Sequence, residues 1–404
     1  MGAADRIHSV GEARRRAARA LPRPLFDYVD GGADDELTLR ANAAAFAEIA
    51  FRPRMGTGIT TAATATTLLG TRLSLPVVLA PAGLVRFVHP DGAVGAARAA
   101  ARAGTLSVLS TVAGTSLEEV AQAVEGPRWF QLYSHGGPEQ SAELVDRAAA
   151  AGYGALVVTL DTAALGNRER DVRHGVSQPL HLSVSSAARL AGHLVARPRW
   201  VLGTARALGR ARAAAPPPPG GHPHTPRAAV LTRRAGGGGG GRIVMERSPF
   251  SWEDVAALRR RWAGPLVVKG LVTAEDARRA VDAGADAVVV SNHGGRQLDS
   301  APATMRALPA VVDAVGGRCA VLLDSGVRRG ADVVKALADG ASAVMVGRAF
   351  LYGLAAGGEP GVARVVEILR AEMERTLVLL GCPSVQDLDR SWIERPAGAP
   401  TPAR

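Results

Sequence analysis

The sequence predicts an α/β protein built on a closed (β/α)8 barrel of the TIM type, and three observations support this prediction. Eight short apolar runs alternate with helical segments along the chain. The runs show no polar–apolar alternation, which is typical of parallel strands that are buried on both faces. The residues at the carboxyl ends of the runs are polar or charged, whereas those at the other ends are not, as expected where barrel strands end in a site.

The eight predicted strands are 75–81, 106–111, 128–133, 155–161, 265–270, 286–292, 319–326 and 342–348. Helices are predicted between them, for example over 273–285 and 330–341. Thr273 and Asp276 form a capping pair at the start of the first of these, and both segments end near a glycine. Because such barrels are single domains of about 250 residues or more, we expect residues 1–404 to form one domain.

The long interval between the fourth and fifth strands, residues 176–245, is predicted to be a variable lid that is partly disordered. Proline and glycine tracts at 213–226 and 235–241 cannot pack a core and are typical of flexible loops. The interval holds ten arginines and no acidic residue, so it supplies most of the net charge of +11. A basic lobe is therefore expected, and nucleic-acid binding is not.

Two interpretations are open for the basic, amphipathic segment 186–213 within this lid. Such a helix can lie on an anionic membrane surface as a peripheral contact. Alternatively, it packs its apolar face on the mouth of the barrel, and this second interpretation is favoured. His222 and His224 follow the segment, but no third ligand accompanies them and no metal is predicted.

The composition predicts a cytoplasmic protein, located peripherally at the inner face of the membrane if the lid segment binds there. The first 24 residues lack the apolar core of a signal peptide. No run of about eighteen apolar residues is present that would span a bilayer. Cys319 and Cys382 are the only cysteines, which fits a reducing compartment, and they lack metal-site spacing.

Lys269 is one of only two lysines in a chain with 48 basic residues, and it lies inside an apolar run. A buried lysine is costly unless it is paired. Two roles remain open from this position alone. The amine can form a Schiff base, or the ammonium can serve as a point charge against an anionic ring.

The loops after the seventh and eighth strands predict a phosphate site. "DSGVRRG" (324–330) follows the seventh strand, and Gly347 and Arg348 follow the eighth. Barrels commonly bind phosphate with these two loops, through backbone N–H groups and guanidinium donors. A ligand that carries a phosphate favours the point-charge role for Lys269.

The motif "SNHGGRQLD" (291–299) predicts the catalytic centre. His293 ends the sixth strand, and histidine is the usual general base near neutral pH. Arg296 is suited to clamp a carboxylate, while two glycines keep the loop thin enough for a substrate to approach. Asp161, at the end of the fourth strand, is expected to hold the imidazole.

The chain resembles the FMN-dependent 2-hydroxy acid oxidases and dehydrogenases, the family of glycolate oxidase, lactate oxidase, flavin lactate dehydrogenases and mandelate dehydrogenase. The resemblance covers most of residues 7–390, apart from portions of the lid. Its motifs are "FDYVDGGADDELTL" (26–39), "FRPR" (51–54), "APAG" (80–83), "FQLY" (130–133), "DTAALGNRERD" (161–171), "VVKG" (267–270), "SNHGGRQLD" (291–299) and "DSGVRRG" (324–330).

The resemblance implies oxidation of an L-2-hydroxy acid to the 2-oxo acid. His293 would take a proton from the substrate while a hydride equivalent passes to N5 of the flavin. Asp161 would stabilise the resulting imidazolium. Arg296 and Tyr28 would hold the substrate carboxylate. The electrons would leave to O2 or to a quinone or other carrier.

The resemblance also implies the rest of the site and a homotetramer. Tyr133 and Arg168 would line the substrate and steady developing negative charge. Lys269 would stabilise reduced, anionic FMN at N1. The other residues implied to contact FMN are Pro81, Ala82, Gly83, Ser110, Gln131, Thr159, Ser291, Asp324, Ser325, Gly326, Arg328, Gly347 and Arg348.

Three departures from the family pattern refine these expectations. Ala163 replaces a common proline in the loop after the fourth strand. Gly83 occupies a position beside the flavin where glycine is frequent in dehydrogenases, and Val112 is small where a bulky substrate contact is common. Together the last two favour a dehydrogenase with a roomy pocket. An FMN enzyme that acts on a peptide-derived amine, or a flavin isomerase, is the alternative, and retention of Tyr28 and Arg296 argues against it.

Overall fold

The computed structural model describes residues 4–134, 137–174, 191–213 and 249–395, and these contain a closed barrel of eight parallel strands. Each apolar run predicted from the sequence contains one strand, so the predicted barrel is confirmed. The strands are Val77–Leu79, Ser107–Ser110, Arg128–Leu132, Ala155–Thr159, Leu266–Leu271, Ala287–Val290, Ala320–Leu323 and Ala343–Val346.

Strands that follow one another in sequence pair in parallel, and the eighth strand closes the barrel on the first. Alternate residues point inward and outward, so the apolar residues divide into two clusters. The inner cluster includes Val78, Trp129, Val267 and Met345, whereas the outer cluster joins the strands to the helices. Leu73 also belongs to the inner cluster and comes from a hairpin that closes the end where the strands begin.

Helices surround the barrel and precede it in the chain. Their bounds are Val10–Ala20, Arg23–Asp30, Leu37–Ala47, Val85–Val88, Gly92–Arg102, Leu117–Ala123, Pro138–Ala150, Glu169–Arg173, Pro198–Ala213, Trp252–Arg261, Ala274–Asp282, Thr304–Val315, Gly330–Ala338 and Arg348–Leu380. The last is interrupted by non-helical backbone at Gly357 and Gly358. The minor elements are the hairpin Thr66–Leu68 and Thr71–Leu73, the pair Ala50–Phe51 and Ile393–Glu394, and the 3-10 turns Val385–Asp387 and Arg390–Trp392.

The two helices singled out in the sequence are present, and the predicted cap is confirmed. The Thr273 side chain accepts a hydrogen bond of 3.2 Å from the backbone N–H of Asp276. The fifth strand differs from the prediction because it continues past Lys269 to Leu271. The register shifts at Gly270, whose φ of 106° is a conformation that favours glycine, so the strand bulges instead of ending.

The described part of the predicted lid, residues 191–213, is helical and packs on the barrel. The indole Nε1 of Trp200 donates to the carbonyl of Phe87 at 2.8 Å, and Ala207 is buried. Val195 and Leu202 remain exposed. These contacts match the interpretation in which the segment packs on the barrel mouth. Residues 175–190 and 214–248, with the proline and glycine tracts, His222 and His224, lie outside the described residues.

Within the four described ranges, no helix has the length and apolar character needed to cross a lipid bilayer.

The helix Arg23–Asp30 is fixed to the rest of the molecule through the buried carboxylate of Asp30. Arg14 donates to it twice, at 2.5 and 2.7 Å, and the hydroxyl of Tyr352 donates at 2.7 Å. Burial raises the pKa of Asp30, but the bonds from Arg14 and Tyr352 and the charge of Arg170 outweigh burial and lower this pKa to about 2.

We expect Asp30→Asn to lower the free energy of unfolding by about 2 kcal/mol at pH 7. The native pKa lies below the unfolded value, so the stabilisation is present above about pH 4 and is lost as the pH falls towards 2. Urea unfolding at pH 7 and pH 3 should show a clearly smaller difference between variant and parent at pH 3. Asp35→Asn, at an exposed position, is the control and should change the stability by less than about 0.5 kcal/mol at both pH values. An equal loss for Asp30→Asn at both pH values would contradict the role of its charge.

Candidate active site

A cavity of about 700 Å3 opens at the carboxyl ends of the barrel strands. Most of the side chains predicted for the site line it, although they come from segments far apart in sequence. The predicted residues that line the cavity are Tyr28, Pro81, Ala82, Gly83, Tyr133, Thr159, Arg168, Lys269, His293, Arg296, Asp324, Ser325, Gly326, Arg328, Gly347 and Arg348. Asp161, Ser110, Gln131 and Ser291 are not among the lining residues, and each of them is hydrogen-bonded close by.

His293 is presented to the cavity by a turn of left-handed backbone. Its φ is 58°, and Gly294 and Gly295 follow with φ of 70° and 71°. A Cβ on Gly295 would lie 2.5 Å from the backbone nitrogen of Leu39, so only glycine fits there. The hydroxyl of Ser291 accepts from the backbone N–H of His293 at 3.1 Å and fixes the start of the turn.

The two ring nitrogens of His293 have different partners. Nδ1 lies 2.8 Å from Oδ1 of Asp161, and Nε2 lies 3.4 Å from the hydroxyl of Tyr133. Burial raises the pKa of Asp161, but the nearby His293 and Lys269 outweigh burial, and the net pKa is lowered. A carboxylate only accepts hydrogen bonds, so Nδ1 carries the proton. In the neutral ring Nε2 therefore keeps its lone pair for a proton from a ligand.

Two guanidinium groups flank the ring of Tyr28. The Cζ of Arg296 is 4.8 Å from the ring centroid, and that of Arg168 is 5.7 Å away. Arg296 also donates to the carbonyl of Tyr28, which fixes the guanidinium against the helix. Burial and the charge of Arg168 lower the pKa of Arg296. Two cations beside one ring favour an anionic ligand there, and Arg296 with Tyr28 is the carboxylate clamp predicted from the sequence.

Asp171 is a site residue that the sequence reasoning missed. Its carboxylate is buried, lines the cavity and lies 3.6 Å from Nε of Arg168. Burial raises the pKa of Asp171, although Arg168 and Arg296 oppose the rise. Its position three residues after Arg168 on a short helix was the available signal, because residues three apart share a helix face.

Lys269 is a buried cation with two close partners. Its Nζ lies 2.7 Å from Oδ2 of Asp324 and 2.6 Å from the hydroxyl of Ser291. Burial alone lowers the pKa of Lys269, but the charges of Asp324 and Asp161 outweigh it, and the net pKa is raised. The side chain is therefore a permanent ammonium, which suits the point-charge role and not that of a Schiff-base nucleophile.

The predicted phosphate loops bring Arg328 and Arg348 to the same cavity. Arg348 is buried, and its guanidinium donates to the carbonyls of Val29, Gly31 and Gly294 at 2.8 to 3.1 Å. Burial, together with the charges of Arg296 and Arg328, lowers the pKa of Arg348 to about 9. The backbone contacts of Arg348 were not predicted. They make this arginine a link between the barrel and the helix of Tyr28, as well as a cation at the cavity.

Two buried polar atoms near the cavity lack hydrogen-bond partners within the described residues and could bond to a polar ligand. Among the described residues, Nε2 of Gln131 and Oγ1 of Thr159 are buried without a hydrogen-bond partner. Buried polar groups without partners are costly, so a ligand that bonds to them is favoured. With the Lys269 ammonium nearby and surplus cations from Arg328 and Arg348, the residues fit the ring and the phosphate of FMN.

Across the ranges that the structure covers, no group of three or more His, Cys, Asp or Glu side chains is arranged to hold a metal ion.

Comparison with known proteins agrees with this geometry. Residues 17–395 match the family model described as FMN-dependent dehydrogenase. The chain is 40% identical over 387 residues to glycolate oxidase of Spinacia oleracea, covering 96% of this chain and 95% of that protein. It is 41% identical over 394 residues to an L-lactate dehydrogenase of a Caulobacter species, covering 96% and 99%.

Among solved structures, the crystal structure of the monotopic membrane protein (S)-mandelate dehydrogenase superimposes with a TM-score of 0.84 and 36% identity, covering 96% of this chain and all of that chain. A mandelate oxidase complex has a TM-score of 0.77 and 36% identity, covering 96% of this chain and 98% of that one. The chain therefore belongs to the FMN-dependent dehydrogenase family, is an oxidoreductase, and uses FMN as its cofactor.

Proposed function

We propose that the protein oxidises an L-2-hydroxy acid to the corresponding 2-oxo acid. The observation that carries this proposal is the presence, in one cavity, of the His293–Asp161 pair and the Arg168–Arg296 pair around Tyr28. Oxidation of such a substrate needs a base to accept its proton and a clamp to hold its carboxylate. Relatives named glycolate oxidase, L-lactate dehydrogenase and (S)-mandelate dehydrogenase support the substrate class.

The two arginines would orient the substrate through its carboxylate. A carboxylate between Arg168 and Arg296 can accept bidentate, charge-assisted hydrogen bonds, which fix its plane as well as its position. The hydroxyl of Tyr28 would add a donor on the same side. Anchoring the acid in this way places the neighbouring carbon next to His293, and such positioning is a large part of catalysis.

His293 would act as the general base, with Nε2 accepting a proton from the substrate. Asp161 stabilises the imidazolium that results, because its carboxylate lies 2.8 Å from Nδ1. The hydroxyl of Tyr133, close to Nε2, would donate to the substrate oxygen and steady negative charge. When bound, FMN accepts the two electrons that leave the substrate.

The residues proposed to hold FMN fall into two groups. Those near the ring include Lys269 and the unsatisfied side chains of Gln131 and Thr159. Those near the phosphate follow the seventh and eighth strands. The full set comprises Pro81, Ala82, Gly83, Ser110, Gln131, Thr159, Lys269, Ser291, Asp324, Ser325, Gly326, Arg328, Gly347 and Arg348.

Three finer features belong to the proposal. Gly83 favours a dehydrogenase that passes electrons to a quinone or carrier over an oxidase that uses O2. A homotetramer is proposed from the family resemblance. Exposed Val195 and Leu202, near exposed Arg199 and Arg206, leave apolar and basic side chains of the packed lid helices available for a peripheral membrane contact. An enzyme of this family with an amine or isomerase substrate is the alternative, and the intact carboxylate clamp argues against it.

The proposal is tested by anaerobic addition of glycolate, lactate and mandelate to the purified holoenzyme. Flavin absorbance near 450 nm should fall with at least one acid and return on adding a quinone faster than in air. His293→Gln should retain bound FMN but reduce it at least 1,000-fold more slowly, because no base accepts the proton.

Arg278→Gln, at an exposed position on the helix Ala274–Asp282, is the matched control and should reduce at the parental rate. A chain whose flavin is not reduced by any 2-hydroxy acid tested would exclude the proposed substrate class. Normal reduction by His293→Gln would remove this residue from the mechanism.

Replacing each of the two lysines of the chain in turn tests the role of the buried ammonium of Lys269. Lys269→Met leaves Asp324 buried without its partner, so we expect a loss of about 3 kcal/mol of stability and at least tenfold weaker FMN binding. Lys335→Met removes a bond to the carbonyl of Phe46, a contact with the Phe51 ring and a charge interaction with Asp332, none of them a contact of the flavin ring, and FMN affinity should change by less than about threefold. Titration of each variant's apoprotein with FMN measures the two dissociation constants, and urea unfolding measures the stability. Equal FMN affinities for the two variants would contradict the ring contact of Lys269.

The phosphate role of Arg328 is separated from the ring contacts by comparing FMN with riboflavin, which lacks the phosphate. Arg328→Ala should weaken FMN binding by about 10- to 100-fold and leave riboflavin binding nearly unchanged. Fluorescence titration of apoprotein with each flavin gives the two dissociation constants. Equal weakening for both flavins would place Arg328 outside the phosphate site.

A further inference from the structure

We infer that Trp200, from the helix Pro198–Ala213, is a specificity-determining residue that closes an apolar side-chain pocket, so that the preferred substrate is a 2-hydroxy acid with a large apolar group. This inference rests on the proposed function, because it extends the same substrate site. The observation behind it is the apolar part of the cavity wall beyond Tyr28. The residues assigned above as the base, the carboxylate clamp and the phosphate site do not include this part of the wall.

The wall consists of apolar side chains from four separate segments. They come from the chain after the first strand, from the loops after the second and fourth strands, and from the lid. The residues are Leu84, Phe87, Val112, Leu165, Leu194 and Trp200. None of them carries a charge, whereas the wall near Lys269 and Arg328 is strongly polar. An apolar wall next to a polar one is typical of a site that binds an amphipathic small molecule.

Close contacts connect this wall to the carboxylate clamp. A Cβ on Gly83 would lie 3.1 Å from both the hydroxyl of Tyr28 and a methyl group of Val112, so these two side chains approach each other at Gly83. The next residue, Leu84, donates its backbone N–H to the carbonyl of Val112 at 2.9 Å. The apolar wall therefore begins directly beside Tyr28.

Trp200 is held at the other end of the same wall. Its Nε1 donates to the carbonyl of Phe87 at 2.8 Å, and its ring is half-buried and lines the cavity. Thr204 and Ala207, on the same face of the helix, are buried. The ring is thus positioned by the packing of the helix and by a hydrogen bond from its only donor.

The wall beneath Trp200 is itself rigidly supported. The guanidinium of Arg86, next to Phe87, is mostly buried and donates to Glu119 at 2.6 Å and to Thr115 at 3.3 Å. This bond ties the short helix Val85–Val88 to the loop that carries Val112. A pocket whose wall is held by such bonds discriminates by shape, because a small substrate leaves part of its space unfilled.

Val112 supplies the space that Trp200 encloses. It is a small side chain opposite Gly83, and a bulky residue there would occupy the volume next to Tyr28. A methyl group such as that of lactate would leave the apolar wall mostly unfilled, whereas a phenyl ring would bury against Phe87 and Trp200. Burial of a group of that size is worth at least about 10-fold in efficiency.

The test compares (S)-mandelate with L-lactate as reductants of the anaerobic holoenzyme, using kcat/KM for flavin reduction. We expect the parent to prefer mandelate by at least about 10-fold. Trp200→Ala should lower the mandelate-to-lactate ratio by about 10-fold or more. Leu202→Ala, on the exposed side of the same helix, should preserve the ratio within about threefold.

Val112→Phe tests the pocket from the loop after the second strand, in a segment separate from the lid helix. The larger ring should lower the same ratio by at least about 10-fold, so the inference stays testable if Trp200→Ala loses FMN or unfolds. Binding of the two products, phenylglyoxylate and pyruvate, gives a second readout that is independent of turnover. Their dissociation constants, from perturbation of flavin absorbance, should converge in both variants.

The outcomes separate this inference from the proposed function. If neither acid nor any related 2-hydroxy acid reduces the parent, the proposed function fails. If the parent is reduced but prefers lactate, or if Trp200→Ala and Val112→Phe both keep the parental ratio, the pocket inference is wrong and the proposed function stands.

Discussion

The excess of positive charge at one end of the barrel is the constraint on which the site depends. Four arginines line the same cavity: Arg168, Arg296, Arg328 and Arg348. Burial and the charge of Arg168 lower the pKa of Arg296, and burial with the charges of Arg296 and Arg328 lowers the pKa of Arg348. Such an arrangement is costly without anions, because like charges repel strongly where water is scarce. A ligand phosphate and the proposed substrate carboxylate would relieve this repulsion, so the same electrostatic imbalance would drive the binding of both cofactor and substrate.

The barrel explains why groups from distant segments meet. Parallel strands end on one side, and the loops that follow them share one rim. Lys269, which lies in the fifth strand, therefore converges with His293 and Asp324, which follow the sixth and seventh strands. The helix Arg23–Asp30 is not part of the barrel, yet it supplies Tyr28, and its position depends on the carboxylate of Asp30 and on the carbonyl contacts of Arg348.

Much of the fold and of the candidate site was predictable, because parallel strands that are buried on both faces appear in the sequence as uninterrupted apolar runs. The eight apolar runs, the helix cap at Thr273 and the polar residues at strand ends all depend on local chemistry. The features that were missed depend on burial and on contacts between distant segments. Trp200 is distinguished by its bond to Phe87, which does not appear in local sequence. Asp171 is distinguished by its burial, because a spacing of three residues from Arg168 does not by itself show that the carboxylate is buried. The extension of the fifth strand was missed because Gly270 suggested an end and instead forms a bulge.

The contacts between the helix of Tyr28 and the last third of the chain have a consequence for biosynthesis. Arg348 bonds to Val29 and Gly31, and Tyr352 bonds to Asp30, across more than 300 residues of sequence. Ribosomes extend a chain by roughly 5–20 residues per second. The first helices thus emerge some tens of seconds before their final partners, with apolar surface uncovered in the interval. In a nascent chain of this design, the helix of Tyr28 therefore lacks its final partners until the eighth strand and the residues that follow it have left the exit tunnel.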